Sequence, residues 1–131
     1  MAAPSDTATN DNSLATEALS FGGIVLPPSA KVLAVDTDRG IDQIYRLAVE
    51  VDPGSIDMLL SGSTFTTPLE QGRMVFMPAL QGFDPDNGSD IASAQDRLPP
   101  QGQRKNYVAR EILVDRTNPA KPVVHLWLFT T

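Results

Sequence analysis

The sequence predicts an α+β domain: an antiparallel sheet of four to five strands backed by one short helix, with long proline-rich loops. Three observations carry this. Two pairs of strand-like runs are each joined by turn residues; a helix-start signal lies between the pairs; and prolines repeatedly break the stretch that separates them. The chain of 131 residues has room for one such domain and not for two.

Taken in order, residues 1–20 are small and polar, with three acids and no base up to residue 30. A segment of this kind does not repay the entropy of ordering, so it is expected to be a disordered acidic leader or tether, with the globular domain spanning residues 21–131. It has neither the basic start nor the apolar centre of an export signal. The weak helical spacing of Leu14–Leu19 is expected to fray. Phe21 to Pro28 reads as an extended entry fixed by the Pro27-Pro28 pair. Lys31–Asp36 is a short strand, residues 36–42 supply turn chemistry, and Gln43–Val51 is a second strand. In that strand Tyr45, Leu47, Val49 and Val51 alternate with Ile44, Arg46, Ala48 and Glu50.

Asp52-Pro53 has the chemistry of an N-cap followed by proline in the first turn, and Gly62 suits a left-handed end. A helix is therefore predicted from Pro53 to Ser61, with Ile56, Leu59 and Leu60 on one face. From Ser63 to Gln103 five prolines interrupt the pattern. A strand at Arg73–Met77 is predicted there and loops elsewhere. Tyr107–Asp115 and Val123–Thr130, joined by the turn-rich run from Arg116 to Lys121, form the closing hairpin.

Charge and composition narrow the chemistry. The chain has no cysteine, which excludes thiol catalysis, zinc-thiolate sites and iron–sulfur clusters. Its net charge of −6 is unevenly spread. Residues 32–96 hold eleven acids against three bases, whereas residues 97–121 hold six bases against two acids. A nucleic-acid binder needs a basic face; Arg97, Arg104, Lys105, Arg110, Arg116 and Lys121 are the only concentrated source, and the acidic remainder would repel a polyanion. No nucleic-acid partner is expected. No membrane span is expected either, since the apolar run Val123–Phe129 falls far short of the ~20 residues a bilayer demands.

The most concrete local pattern is doubled: Asp36, Asp38 and Asp42 around Gly40, and Asp84, Asp86 and Asp90 around Gly88. Carboxylates at alternate positions beside a glycine bend can converge on Ca²⁺, a hard cation that prefers oxygen ligands. Both copies depart from the EF-hand loop, with glycine fifth rather than sixth and Leu47 or Gln95 at the twelfth position, and plain Asp/Gly turns are the simpler outcome. Calcium is the only cofactor the pattern suggests. The single histidine, His125, lies in an apolar strand, and no serine nucleophile elbow occurs. The last strand places Val123, His125, Trp127 and Phe129 on one face and Val124, Leu126 and Leu128 on the other. A single-layer sheet needs only one apolar face, so the aromatic face is either covered or open to a partner. If open, Trp127, His125 and Phe129 are the ligand-binding residues.

The succession Leu26-Pro27-Pro28-Ser29-Ala30, Tyr45-Arg46-Leu47, Asp52-Pro53, Leu59-Leu60-Ser61-Gly62, Val124-His125-Leu126 and Phe129-Thr130-Thr131 resembles the uncharacterised secreted or lipid-anchored small domains of actinobacteria. The resemblance covers residues 21–131. It implies a location outside the cytoplasm, and no reaction, cofactor or site residue. Lipid-anchored members carry a cysteine before a tether like residues 2–20. This chain has none, so on this resemblance the anchor was cut away or never present.

The function expected from these features is an extracytoplasmic, non-catalytic binding or interaction module, with a protein or carbohydrate partner at the cell surface. The alternatives are a carboxylate-dependent hydrolase, with or without calcium, and a structural accessory domain of a cell-envelope assembly.

Overall fold

The computed structural model describes residues 6–39, 43–72, 90–100 and 106–130. Its helices are α1 (Asp6–Gly22) and α2 (Ile56–Gly62), and its strands are β1 (Lys31–Arg39), β2 (Gln43–Glu50), β3 (Glu70–Gln71), β4 (Ile91–Leu98), β5 (Val108–Asp115) and β6 (Val123–Thr130). The strands form one antiparallel sheet in the order β1-β2-β6-β5-β4-β3. The α+β class is as predicted, with six strands among the described residues where four to five were expected and two α-helices where one was.

Both predicted hairpins are present, β1 with β2 and β5 with β6. Alternation in β2 sets its two faces as expected: Tyr45, Leu47 and Val49 join the main core with Val124, Leu126 and Leu128 of β6 and Ile112 and Val114 of β5. Ala15 and Ala18 of α1 and Ile56 and Leu59 of α2 belong to the same core, so both helices cover one face of the sheet. On the other face Leu113 and Trp127 form a second cluster, with Ile91 and Phe129 against it.

Residues 6–22, across which the boundary expected at residue 20 falls, are described as the helix α1, and the helix packs on the sheet. The stripe Ala15, Ala18 and Gly22 explains why. These side chains are too small to register as a hydrophobic pattern, yet they let the helix axis come close to the sheet: a Cβ on Gly22 would lie 2.7 Å from both terminal carbons of Leu128. Gly23, at φ 62°, ends α1 in the left-handed region, and the Ile24 amide closes the turn on the Leu19 carbonyl at 2.9 Å.

At α2 the predicted start is only partly right. Pro53–Ser55 is a single 3₁₀ turn before the α-helix proper, and the Asp52 side chain makes no capping hydrogen bond; its carbonyl accepts from the Ser55 amide instead. The left-handed residue at the other end is Thr64, at φ 51°, not Gly62. The predicted strand at Arg73–Met77 lies outside the described residues. Strand β4 occupies a stretch predicted to be loop: Ile91-Ala-Ser-Ala-Gln-Asp-Arg-Leu98 has weak intrinsic strand preference, and its pairing with β5 along the whole of its length supplies what propensity does not. Among the described residues no helix is long and apolar enough to cross a membrane.

Candidate functional site

The elements converge most tightly at Arg110, in the middle of β5. Its Cα partners are Asp96 on β4 and Leu128 on β6, so the side chain points toward the helices, where it is fully buried. The guanidinium is fully used. Nε donates to Asp96 Oδ1 at 2.7 Å and Nη2 to Oδ2 at 2.6 Å. Nη1 donates to the carbonyls of Gly22 at 3.1 Å and Ser63 at 2.8 Å, and Nη2 to that of Thr64 at 3.2 Å. Its flat face lies 4.6 Å from the centre of the Phe65 ring. One cation thus serves the last carbonyl of α1 and the two carbonyls that directly follow α2, at helix ends that carry partial negative charge. The basic stretch read from the sequence is accordingly not one surface: Arg110 is inside, and Arg97 stacks 4.9 Å from the centre of the exposed Tyr107 ring.

Above this buried hub lies an exposed apolar pair. Val25 and Met58 are 56% and 54% exposed. Met58 and Gly62 are one turn apart on α2 and share a face, and Val25 lies against Gly62, 3.5 Å from where a Cβ would stand. The patch rests on a fixed base, because the Val25 amide donates to Ser63 Oγ at 2.8 Å while the Ser63 carbonyl accepts from Arg110. No aromatic or long apolar run marks this surface in the sequence; two segments far apart in the chain create it.

The residues predicted to bind a ligand are placed differently. Trp127 is only 1% exposed and His125 is buried, the two rings stacked 6.2 Å apart, and Phe129 is half-buried. Two of the three residues expected to serve an open aromatic face, Trp127 and His125, are thus buried in the structure. Across the same face a polar row runs Asp36, Arg46, Trp127, Glu111, Gln95. Arg46 Nη1 donates to Asp36 Oδ1 at 2.9 Å, whereas Arg46 Nε and Glu111 Oε1 are buried with no hydrogen-bond partner among the described residues. Burial raises the Glu111 carboxyl above its ordinary value.

Of the proposed calcium ligands, Asp36 and Asp38 lie on an extended strand that continues to Arg39, not around a bend. Asp36 is paired with Arg46, and Asp90 accepts from Gln71 Nε2 at 3.3 Å. Asp42, Asp84 and Asp86 lie outside the described residues, as does the Asp38 side chain. Among the described residues no group of three or more acids and histidines could hold a metal. A cleft of about 170 Å³ opens where β3 leaves β4, lined by Thr67, Pro68, Glu70, Ser93, Ala94 and Gln95. Its hydroxyls are already engaged, Thr67 Oγ1 with the Gln95 carbonyl at 2.7 Å and Ser93 Oγ with the Gly72 carbonyl at 3.0 Å. The volume is below the ~300 Å³ at which ligand pockets begin.

The chain matches no protein-family model, no curated protein and no solved structure.

Proposed function

We propose that the chain is a non-catalytic interaction module acting outside the cytoplasm, and that it engages a protein partner at the Val25–Met58 patch. What supports this is that two exposed apolar side chains, Val25 and Met58, both neighbour Gly62 on a base held by Ser63 and Arg110. Rigid, contiguous apolar anchors bind with little entropy left to lose, and methionine adapts its shape to a partner. The location rests on the resemblance to secreted and lipid-anchored domains.

The test is a comparison of the parent with a Val25→Asp/Met58→Asp double variant, both immobilised and exposed to the same extracellular protein fraction. The variant should keep its fold with little change in melting temperature, since both side chains are more than half exposed, and lose a partner that the parent retains. Its affinity should fall by roughly thirtyfold or more, the ~2 kcal/mol of a lost hot spot. A partner held equally by both, or none held by the parent, counts against the patch.

Glu111 favours a second reading, the carboxylate-dependent hydrolase. A carboxyl whose hold on its proton is strengthened by burial, on a strand position facing a tryptophan, has chemistry suited to a general acid. On that reading Glu111→Gln abolishes hydrolysis of a model glycoside while the fold is retained; unchanged turnover, or none in the parent, removes it.

A further inference from the structure

We propose that Arg110 couples the docking of α1 to the C-terminal cap of α2, so that the two loosen and tighten together. Neither helix has a basic residue in its last turn; amides just beyond each helix cap carbonyls of its last turn, and the cation that the helix dipole favours at each end comes from elsewhere in the chain. The same guanidinium supplies both: Gly22 on one side, Ser63 and Thr64 on the other, with Asp96 holding its plane through two hydrogen bonds.

Each end is poised to move. Among the described residues the fully buried apolar side chains of α1 are two alanines, with Leu14, Leu19 and Phe21 partly covered and Glu17 and Phe21 meeting Tyr45, so the helix is anchored by small side chains and a few peripheral contacts, the kind of element that opens locally. The α2 cap holds Thr64, a β-branched residue, at positive φ, a conformation that persists only where surrounding bonds impose it. If α1 lifts, Arg110 loses the Gly22 carbonyl and its fixed orientation, and the grip on Ser63 and Thr64 weakens with it. Ser63 also accepts from Val25, so the coupled unit includes both sides of the exposed patch. That bearing on partner binding rests on the function proposed above; the coupling itself does not.

Native-state amide exchange on the full chain, without any partner, is the test. Ala18→Gly weakens α1 from within and should cut protection of the Gly23 and Ile24 amides by roughly fivefold. The Ser63, Thr64 and Phe65 amides should lose protection by the same factor, while the amides between β5 and β6 keep theirs. Unchanged protection at Ser63 to Phe65 would overturn the coupling and leave the patch reading standing. In an Arg110→Lys background, where one ammonium replaces the five-donor fork, Ala18→Gly should affect α1 alone. Transmission that survives Arg110→Lys but disappears in Ser63→Ala would assign it to the Val25–Ser63 hydrogen bond and refute the role of Arg110. Should Arg110→Lys fail to fold, the Ala18→Gly result in the parent decides.

Discussion

At Arg110 the cost of burying a charge is met by complete satisfaction of the group: a bidentate carboxylate, the carbonyls of Gly22, Gly23, Ser63 and Thr64 and an aromatic face leave nothing unpaired. Glu111, one residue along the strand and on the opposite face, has the reverse situation. One of its oxygens is buried with no partner among the described residues, and desolvation raises its carboxyl above the ordinary 4.5. The folded chain therefore holds a proton that the unfolded chain releases more readily. Its contribution to stability is fully present below 4.5 and is lost as pH rises through the raised folded-state value. Glu111→Gln keeps the shape and removes the ionisation. Urea midpoints measured from about pH 4 to about pH 8 should show the variant gaining on the parent as pH climbs, then holding a constant lead; parallel curves would mean that the carboxyl is solvated in the folded chain.

Among the elements, α1 shows how a helix can be specified by what it lacks. Thr, Asn, Asp and Ser are indifferent helix formers, and its stripe of Ala15, Ala18 and Gly22 carries little apolar area. What stabilises it is close approach to a sheet that the segment itself does not encode. Two glycines at helix ends make the point testable. Gly22→Ala forces a methyl to within 2.7 Å of Leu128, a side chain that is itself fully buried, and should cost about 1–3 kcal/mol. Gly62→Ala meets only Val25, at an ordinary 3.5 Å, and should gain a few tenths to about 1 kcal/mol from helix propensity. Thermal or urea unfolding reads both; equal effects would mean that α1 does not sit on Leu128 as described. Strand β4 is the same lesson in sheet form, a weak sequence held by its neighbour.

Across the whole molecule, the sheet order makes β2 and β6 the seam. Each outer pair is local, whereas Ala48 meets His125 and Val49 meets Val124 only after most of the chain has been made. Loop closure over that separation precedes the contacts that reward it. Refolding should accordingly be slow for a chain of this size, in the range of roughly milliseconds to seconds, and Val124→Ala in the seam should slow folding more than it speeds unfolding if seam formation is the barrier. Stopped-flow fluorescence of Trp127, which lies on the seam strand, follows it directly. Microsecond refolding would show that the seam is not limiting.

Local chemistry was legible in the sequence wherever side-chain size and alternation decide the outcome. Tyr45, Leu47 and Val49 point one way because strand residues alternate, Ile56 and Leu59 share a helix face because of its period, and the two hairpins follow from short connections between strand-like runs. Those readings need no partner from elsewhere in the chain. The helix at residues 6–22, the strand at residues 91–98, the burial of Trp127, the inward turn of Arg110 and the apolar pair at Val25 and Met58 were decided only by the tertiary structure. In each case the stabilising or exposing neighbour is remote in sequence: Leu128 beneath Gly22, β5 beside β4, helix carbonyls around a strand arginine, Gly62 against Val25. Propensity and periodicity are properties of a window of residues, whereas burial, hydrogen-bond satisfaction and exposure belong to surfaces, and this chain builds its surfaces by bringing distant windows together.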